Sequence, residues 1–319
     1  MPFIPNNPPK VNSTPLPSSI KKEDRTTQFS FTDPKYKLSD LIISDSLNDE
    51  LQTIIKAQEC WRKVFEEWNL GSVLKQRKNL FINLYGAPGT GKTMAAHAIA
   101  ESLHKKMICV NYSDIESKYV GETSKNLTSL FHFADESKAI IFFDEADALL
   151  SKRVTNMSSS TDVSVNQTRS VLLTLLNDYD GMVIFATNFI SNYDSAFMRR
   201  IQYHVKFELP NAELRCKLWK LYIPKEMPAQ LDIDDISKKY DGISGSDISN
   251  AVLKAALKAA KQNNTIIPQN YFEEAIERIV ESKKANSNSG DSNVKITKSE
   301  IVPESEVPPE VKKQAEQNK

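Results

Sequence analysis

The sequence predicts an α/β fold: a mostly parallel sheet with helices on both faces, followed by a smaller all-helical domain. Three observations predict it. Short apolar runs alternate with helix-patterned stretches from residue 79 to residue 209. Strand-like runs stop after Pro210, and the chain then reads as helix after helix. Between the first apolar run and the next helix sits "GAPGTGKT", the G-x-x-x-x-G-K-T pattern of a phosphate-binding loop, in the strand-then-helix context that such a loop requires.

The elements come in a clear order. Residues 1–34 are rich in Pro, Ser, Thr and Asn without periodicity, and read as a flexible tail. Leu51, Ile54, Ile55, Trp61, Val64, Phe65 and Trp68 recur at helical spacing, which predicts an amphipathic helix with both tryptophans in the packed stripe. The apolar runs are "NLFINLY" (79–85), "MICVNY" (107–112), "AIIFF" (139–143), "MVIFA" (182–186) and "YHVKFEL" (203–209). Near-continuous apolar character is what a strand buried on both faces needs. Strands alternating with helices argue for crossover connections and hence parallel pairing. Residues 151–165 read as a polar loop, with a helix near 166–179. Beyond Pro210, helices are expected over "AELRCKLWKLYI", "DIDDISKKY", "GSDISNAVLKAALKAAKQ" and "NYFEEAIERIVES", with Asp247 and Ser249 as start-type residues. The expected organisation is a tail over 1–34, an α/β domain over 35–210, a helical domain over 211–283 and a polar tail over 284–319.

Composition narrows the function classes. The 319 residues carry 41 basic and 41 acidic side chains, so the formal net charge is zero. No global attraction to nucleic acid or to an anionic membrane is indicated. Cys60, Cys109 and Cys216 show no metal-type or paired spacing; they fit a reducing compartment and are expected to be small buried hydrophobes. No apolar run approaches membrane-spanning length, and the N-terminus lacks a signal-type apolar core. A cytoplasmic protein is expected.

The chemistry concentrates at strand ends. Gly86, Gly89 and Gly91 let the backbone turn tightly and aim its N–H groups inward, together with Ala87, Pro88, Thr90 and Met94 of the same stretch. Lys92 reaches the β- and γ-phosphates of a nucleotide, and the Thr93 hydroxyl holds Mg²⁺. The run ending in Phe143 leads into Asp144-Glu145-Ala146-Asp147. Asp144 is suited to the metal shell and Glu145 to orienting or deprotonating an attacking water. Ala146 and Asp147 need no catalytic part. Asn188 ends the next strand run, where its amide can meet the γ-phosphate or the water. Arg199 and Arg200 precede the last strand run, and guanidinium groups there can stabilise charge on a transferring phosphoryl group. Asn188 alone would be an ordinary turn residue, and Arg199 and Arg200 alone an ordinary surface pair.

Taken in order, the phosphate loop, "IIFFDEAD", "FATN" and "DSAFMRRI" resemble the AAA family of ATPases, over roughly residues 35–283. The resemblance implies ATP and Mg²⁺ as cofactors and ATP hydrolysis as the activity. It makes Asn188 the first sensor residue. The adjacent Arg199 and Arg200 resemble those of the meiotic-clade enzymes such as katanin, spastin and the ESCRT-disassembly ATPases, where arginine fingers reach a neighbouring subunit's nucleotide. This implies self-association in a ring, usually a hexamer. "YDGISGSDI" (240–248) is similar to the family's lid motif, so Gly245 and Ser246 are implied as adenine-side contacts. "SDLIIS" (39–44) is the nearest match to a stretch that touches the base, which implies Leu41 and Ile42. "SKYVGET" (117–123) resembles the first pore loop, with Lys118, Tyr119 and Val120 facing a channel through which a protein substrate is gripped by apolar contact. No substrate-recruiting domain is recognisable in residues 1–34, so the substrate or adaptor protein is not specified.

Two other readings compete. The letters "DEAD" invite a helicase, but only residues 211–283 come after the α/β domain, too few for a second such domain, and the charge is balanced. An ATP-switched assembly factor or scaffold, binding a partner without threading it, would carry the same nucleotide site.

Overall fold

The structure is a computed structural model that describes residues 29–73, 79–111, 122–151, 160–188 and 193–288. The chain divides into two compact units, Met1–Glu208 and Leu209–Lys319.

In the first unit, the segment before α1 makes one antiparallel bridge, Thr32 to Met107, on the edge of the sheet. Helix α1 (Asp45–Arg62) starts at Ser44, whose hydroxyl accepts the Leu47 N–H at 3.3 Å. It buries Leu47, Leu51, Ile54 and Ile55, one stripe at helical spacing. The predicted stripe does not continue through Trp68. Over Lys63–Glu67 the helix widens to a π-turn, with the Trp68 N–H donating to the Lys63 carbonyl at 2.8 Å. The wider turn rotates the residues beyond it out of phase with the stripe. Trp68 is therefore 68% exposed, and Trp61 is half-buried, stacked on Phe65 with ring centroids 3.9 Å apart.

Five strands make the sheet: β1 (Leu80–Gly86), β2 (Met107–Val110), β3 (Ile140–Phe143), β4 (Met182–Thr187) and β5 (Tyr203–Phe207). They pair in the order β2-β3-β4-β1-β5, every pair parallel. The crossovers are α2 (Lys92–Ser102), α3 (Glu122–Ser137), α4 (Asp147–Leu150), α5 (Ser160–Asp178) and α6 (Ser195–Met198). Helix α5 begins six residues before the expected start at 166, so the polar stretch 151–165 is helical from Ser160. Alternate residues of each strand feed two cores. Phe81, Ile141, Phe143, Val183 and Phe185 pack with Leu127, Phe131, Leu172 and Leu176 on one face. Leu80, Ile82, Leu84, Ile140, Phe142 and Ile184 pack with α1 and the alanines of α2 on the other. Burial on both faces is why these strands read as unbroken apolar runs.

The second unit contains α7 (Ala212–Tyr222), α8 (Ile233–Lys239), α9 (Gly245–Lys261) and α10 (Gln269–Asn288). It is helical as expected, with one addition: the two-residue strands β6 (Ala229–Gln230) and β7 (Ile267–Pro268) pair in parallel. Asp247 and Ser249 do not start α9. The cap is Ser244, whose hydroxyl accepts the Asp247 N–H while Asp247 accepts the Ser244 N–H, a reciprocal capping box. Arg215 is buried and anchors this unit, donating to the carbonyls of Pro210 and Ser237 and to Asp241 Oδ1.

The thiols are not buried hydrophobes. Cys60 and Cys109 are exposed and Cys216 is half-buried, all three free. Cys60 lies off the buried stripe of α1, and Cys109 alternates outward on the edge strand β2. No helix among the described residues is long and apolar enough to cross a membrane.

Candidate functional site

The strand order puts β3, β4 and β1 side by side, so their carboxyl ends share one edge. In parallel sheets that edge is where ligands bind. The phosphate loop, Asp144, Glu145 and Asn188 meet there.

β1 ends at Gly86, opposite Phe207 of β5. A side chain at Gly86 would place its first carbon 2.1 Å from the Phe207 carbonyl oxygen, so glycine is required by contact as well as by its positive φ of 146°. Gly89 and Gly91 also have positive φ, 76° and 101°. Between them the loop closes on itself, the Thr90 hydroxyl donating to the Ala87 carbonyl at 2.8 Å. Pro88 and Gly89 are exposed and Met94 is half-buried at the start of α2. Helix α2 begins directly after Gly91, and its N-terminal end carries the positive side of the helix dipole.

Lys92 is buried, and its ammonium donates to Gly86 O at 2.8 Å, Ala87 O at 2.9 Å and Asn188 Oδ1 at 3.2 Å. Burial lowers its pKa from the ordinary lysine value, while the charges of Asp144 and Asp147 oppose that shift. The Thr93 hydroxyl donates to Asp144 Oδ2 at 3.0 Å. Walker-type residues far apart in sequence thus meet in space. One hydroxyl and one carboxylate are hard oxygen donors, the partial shell that Mg²⁺ takes when phosphates supply the rest. Among the described residues no group of three or more His, Cys, Asp and Glu side chains gathers as a metal cage, so the donor set fits a metal shared with phosphate oxygens.

The turn after β3 is pinned by backbone bonds to both neighbouring strands. The Asp144 N–H donates to Val110 O at 3.2 Å and the Ala146 N–H to Ala186 O at 2.9 Å. Glu145 is exposed and sits in the left-handed region, φ 51°. For a residue with a side chain that conformation costs about 1–2 kcal/mol. Asp147, which needed no role on sequence grounds, has a partner: both its oxygens accept the Asn188 N–H, each at 3.1 Å. No spacing rule signals that bond, because it joins the segments after β3 and β4, which become neighbours only on folding.

A second set of bonds links this turn to the arginines. Ser151 and Tyr193 form an isolated bridge, and the Asp194 N–H donates to Leu150 O at 2.9 Å. The Asp194 side chain caps α6 by accepting the Ala196 N–H at 2.8 Å. Below it the Tyr193 hydroxyl donates to Thr187, whose hydroxyl donates to Asn83 Oδ1 at 3.2 Å. Burial pushes the Tyr193 pKa up to about 12. Arg199 and Arg200 come directly after α6 and differ. Arg200 donates to Asn177 Oδ1 at 2.7 Å and Ala196 O at 2.8 Å and is half-buried. Arg199 is exposed and donates to Ser195 O at 3.2 Å.

The remaining predicted positions divide. Leu41 and Ile42 are half-buried. A side-chain carbon built at Gly91 would lie 3.9 Å from Leu41 Cδ2, so Leu41 stands beside the phosphate loop. Gly245 and Ser246 open α9 in the second unit, Ser246 exposed with its hydroxyl 3.1 Å from that of Ser244. Lys118, Tyr119 and Val120 lie outside the described residues.

Known proteins share the stretch that builds this site. The sequence pattern described as "ATPase family associated with various cellular activities (AAA)" matches residues 82–209, from within β1 to just beyond β5. This chain belongs to the AAA family of ATPases. Its relatives include a 26S proteasome regulatory subunit 8 homolog of Schizosaccharomyces pombe, 34% identical over 66% of this chain and 53% of the relative. A putative 26S proteasome regulatory subunit homolog of Methanocaldococcus jannaschii is 30% identical over 78% of this chain and 66% of the relative. A 26S proteasome subunit of Saccharomyces cerevisiae is 32% identical over 63% of this chain and 48% of the relative. The chain spans about half the length of the two yeast relatives. These relatives are of the proteasome regulatory type, not of the katanin or spastin type to which the arginine pair pointed. The resemblance holds for the AAA family as a whole and is not specific to the meiotic clade.

Proposed function

We propose that this chain is the ATP-hydrolysing module of an oligomeric AAA ring that remodels, unfolds or disassembles a protein substrate. The observation that carries the reading is the convergence of Lys92 on Asn188 and of Thr93 on Asp144 at one sheet edge. A chance glycine-rich turn would have no reason to meet two other strand ends.

In this reading the amides of Gly86–Thr93 and the Lys92 ammonium bind the nucleotide phosphates. Leu41, beside the phosphate loop, and Ile42 contact the base. Thr93 and Asp144 hold Mg²⁺, which when bound neutralises phosphate charge and orients the group to be transferred. Glu145 accepts a proton from the attacking water, and Asn188 orients that water against the γ-phosphate. Arg199 and Arg200 act on a neighbouring chain's nucleotide, so each site is completed between two chains. Residues 35–210 serve as the nucleotide-binding subdomain and 211–283 as the smaller helical subdomain. Lys118, Tyr119 and Val120 line the channel and grip an extended polypeptide. The relatives are named as subunits of the 26S proteasome or homologs of them, which supports assembly into a larger complex; self-association in a ring and a cytoplasmic location are further parts of the proposal. The balanced charge offers no general attraction to nucleic acid.

The test is ATP turnover by the full chain beside Glu145→Gln. The variant is expected to bind ATP, to stabilise the oligomer and to turn over about 10²–10⁴ times more slowly, the usual contribution of a positioned base. Turnover at the wild-type rate would remove Glu145 from the role. A pull-down with the same variant and ATP identifies the protein it holds, and Tyr119→Ala should lower the substrate processed per ATP consumed.

A further inference from the structure

Asp147 is the last acidic residue of the 144–147 stretch, and the proposed hydrolysis leaves it without a task. It opens α4 but does not cap that helix: the Leu149 and Leu150 amides both donate to the Ala146 carbonyl at 3.0 Å. Its carboxylate instead reaches across to the end of β4, where both oxygens accept the Asn188 N–H. The other end of Asn188 is also held, its side-chain oxygen accepting from Lys92 Nζ. Asn188 is therefore clamped at its backbone from the start of α4 and at its amide from α2. The Asp147 charge also bears on the Lys92 ammonium, favouring its protonated form.

Glu145 lies two residues before Asp147 on the same turn. Its left-handed backbone persists only where surrounding bonds over-determine it. The Val110 and Ala186 carbonyls supply two such bonds. The Asp147 carboxylate supplies a charge-assisted third, stronger than a neutral one, and it is the bond that ties the Glu145 turn to Asn188 itself.

We propose that Asp147 is a positioning residue for ATP hydrolysis, holding the Asn188 backbone and the Glu145 turn in one registry at the ends of β4 and β3. The proposal rests on the roles proposed for Glu145 and Asn188 in hydrolysis. Without this carboxylate the two groups lose their common reference, and a misplacement of order 1 Å costs about 10²-fold in rate. Nucleotide affinity depends on the phosphate loop and Lys92 and should move far less.

The experiment compares wild type, Asp147→Ala, Asp147→Asn and Glu145→Gln as full chains. Sites are titrated with a fluorescent ATP analogue, turnover is expressed per titrated site, and amide exchange is followed at Asn188. Asp147→Ala is expected to lower kcat per site about 10²-fold with little change in analogue affinity, and to speed exchange of the Asn188 amide. Asp147→Asn keeps one carbonyl acceptor and should recover part of the rate. A merely structural role would reduce titrated sites and turnover together and leave the rate per site unchanged, which overturns the proposal. If the alanine variant does not fold, the asparagine variant decides: wild-type kcat per site overturns the proposal, and a reduced kcat at retained affinity supports it. If wild type fails to hydrolyse ATP, or Glu145→Gln turns over normally, the site assignment itself is what fails, whatever Asp147 does.

Discussion

The sheet edge and the arginine helix of the first unit are built on opposite plans. At the edge, polar groups answer one another within the chain: Lys92 has three acceptors, Thr93 meets Asp144, and Asp147 meets Asn188. At the end of α6, Arg200 is spent on Asn177 and Ala196, while Arg199 stands exposed with one bond to its own helix. A guanidinium carries five donors, so Arg199 has most of its capacity to offer elsewhere. The first region reads as a finished half-site. The second reads as a part made for use outside the chain that carries it.

That contrast can be broken. Its largest consequence is that Arg199→Ala should lower ATP turnover of the assembled protein by about 10³-fold, the lower end of what an arginine finger contributes, with nucleotide affinity retained. Arg200→Ala should act differently, reducing thermal stability by about 1 kcal/mol through the lost bonds to Asn177 and Ala196 and turnover by less than Arg199→Ala. Equal losses of turnover would mean that the two arginines contribute equally to the task and that their different surroundings carry no meaning. Both are read by steady-state ATPase assays beside thermal melts.

Smaller effects sharpen the account of the connection between the regions. Tyr193→Phe removes the hydroxyl bonded to Thr187 beneath the bridge to Ser151, and should cost about 1 kcal/mol of stability in denaturant melts. Because burial holds the phenol near 12, that cost should not vary with pH below about 10. The smallest effect is a slope. His97 is buried on α2, with its pKa lowered first by burial and then by Lys35, against the opposing charge of Asp144. Its folded pKa lies below the unfolded value, so the unfolded chain binds the proton first. Stability is full above the ordinary value of 6.5 and falls as pH drops from there toward the folded pKa. His97→Gln should flatten that part of a stability-against-pH curve; an unchanged slope would assign it to other groups.

Much of the fold was legible because its strands are buried on both faces. Residues 80–86, 140–143 and 182–187 carry mostly apolar side chains for that reason, and the five runs read in sequence correspond to the five strands. The phosphate loop was legible because phosphate binding by backbone demands glycine at fixed offsets. What escaped was decided by packing or by local geometry. The π-turn at Lys63–Glu67 shifts the phase of α1, so Trp68 leaves the stripe that its spacing assigned it. Helix α9 begins at Ser244 because a capping box with Asp247 forms there, whereas inspection of single residues favoured Asp247 and Ser249. The task of Asp147 was invisible because its partner lies one strand away. The difference between Arg199 and Arg200 was invisible because two identical letters reveal nothing of Asn177, which meets Arg200 alone from α5.

The central claim is that the site is completed between chains. Mixing inactive Arg199→Ala chains with inactive Glu145→Gln chains tests it most directly. An intact Glu145 on one chain then faces an intact Arg199 on its neighbour at a fraction of the interfaces. ATP turnover is expected to reappear in the mixture, rising with mixing ratio to a maximum near equal parts. A mixture as inactive as either variant alone, in chains shown by light scattering to co-assemble, would contradict it.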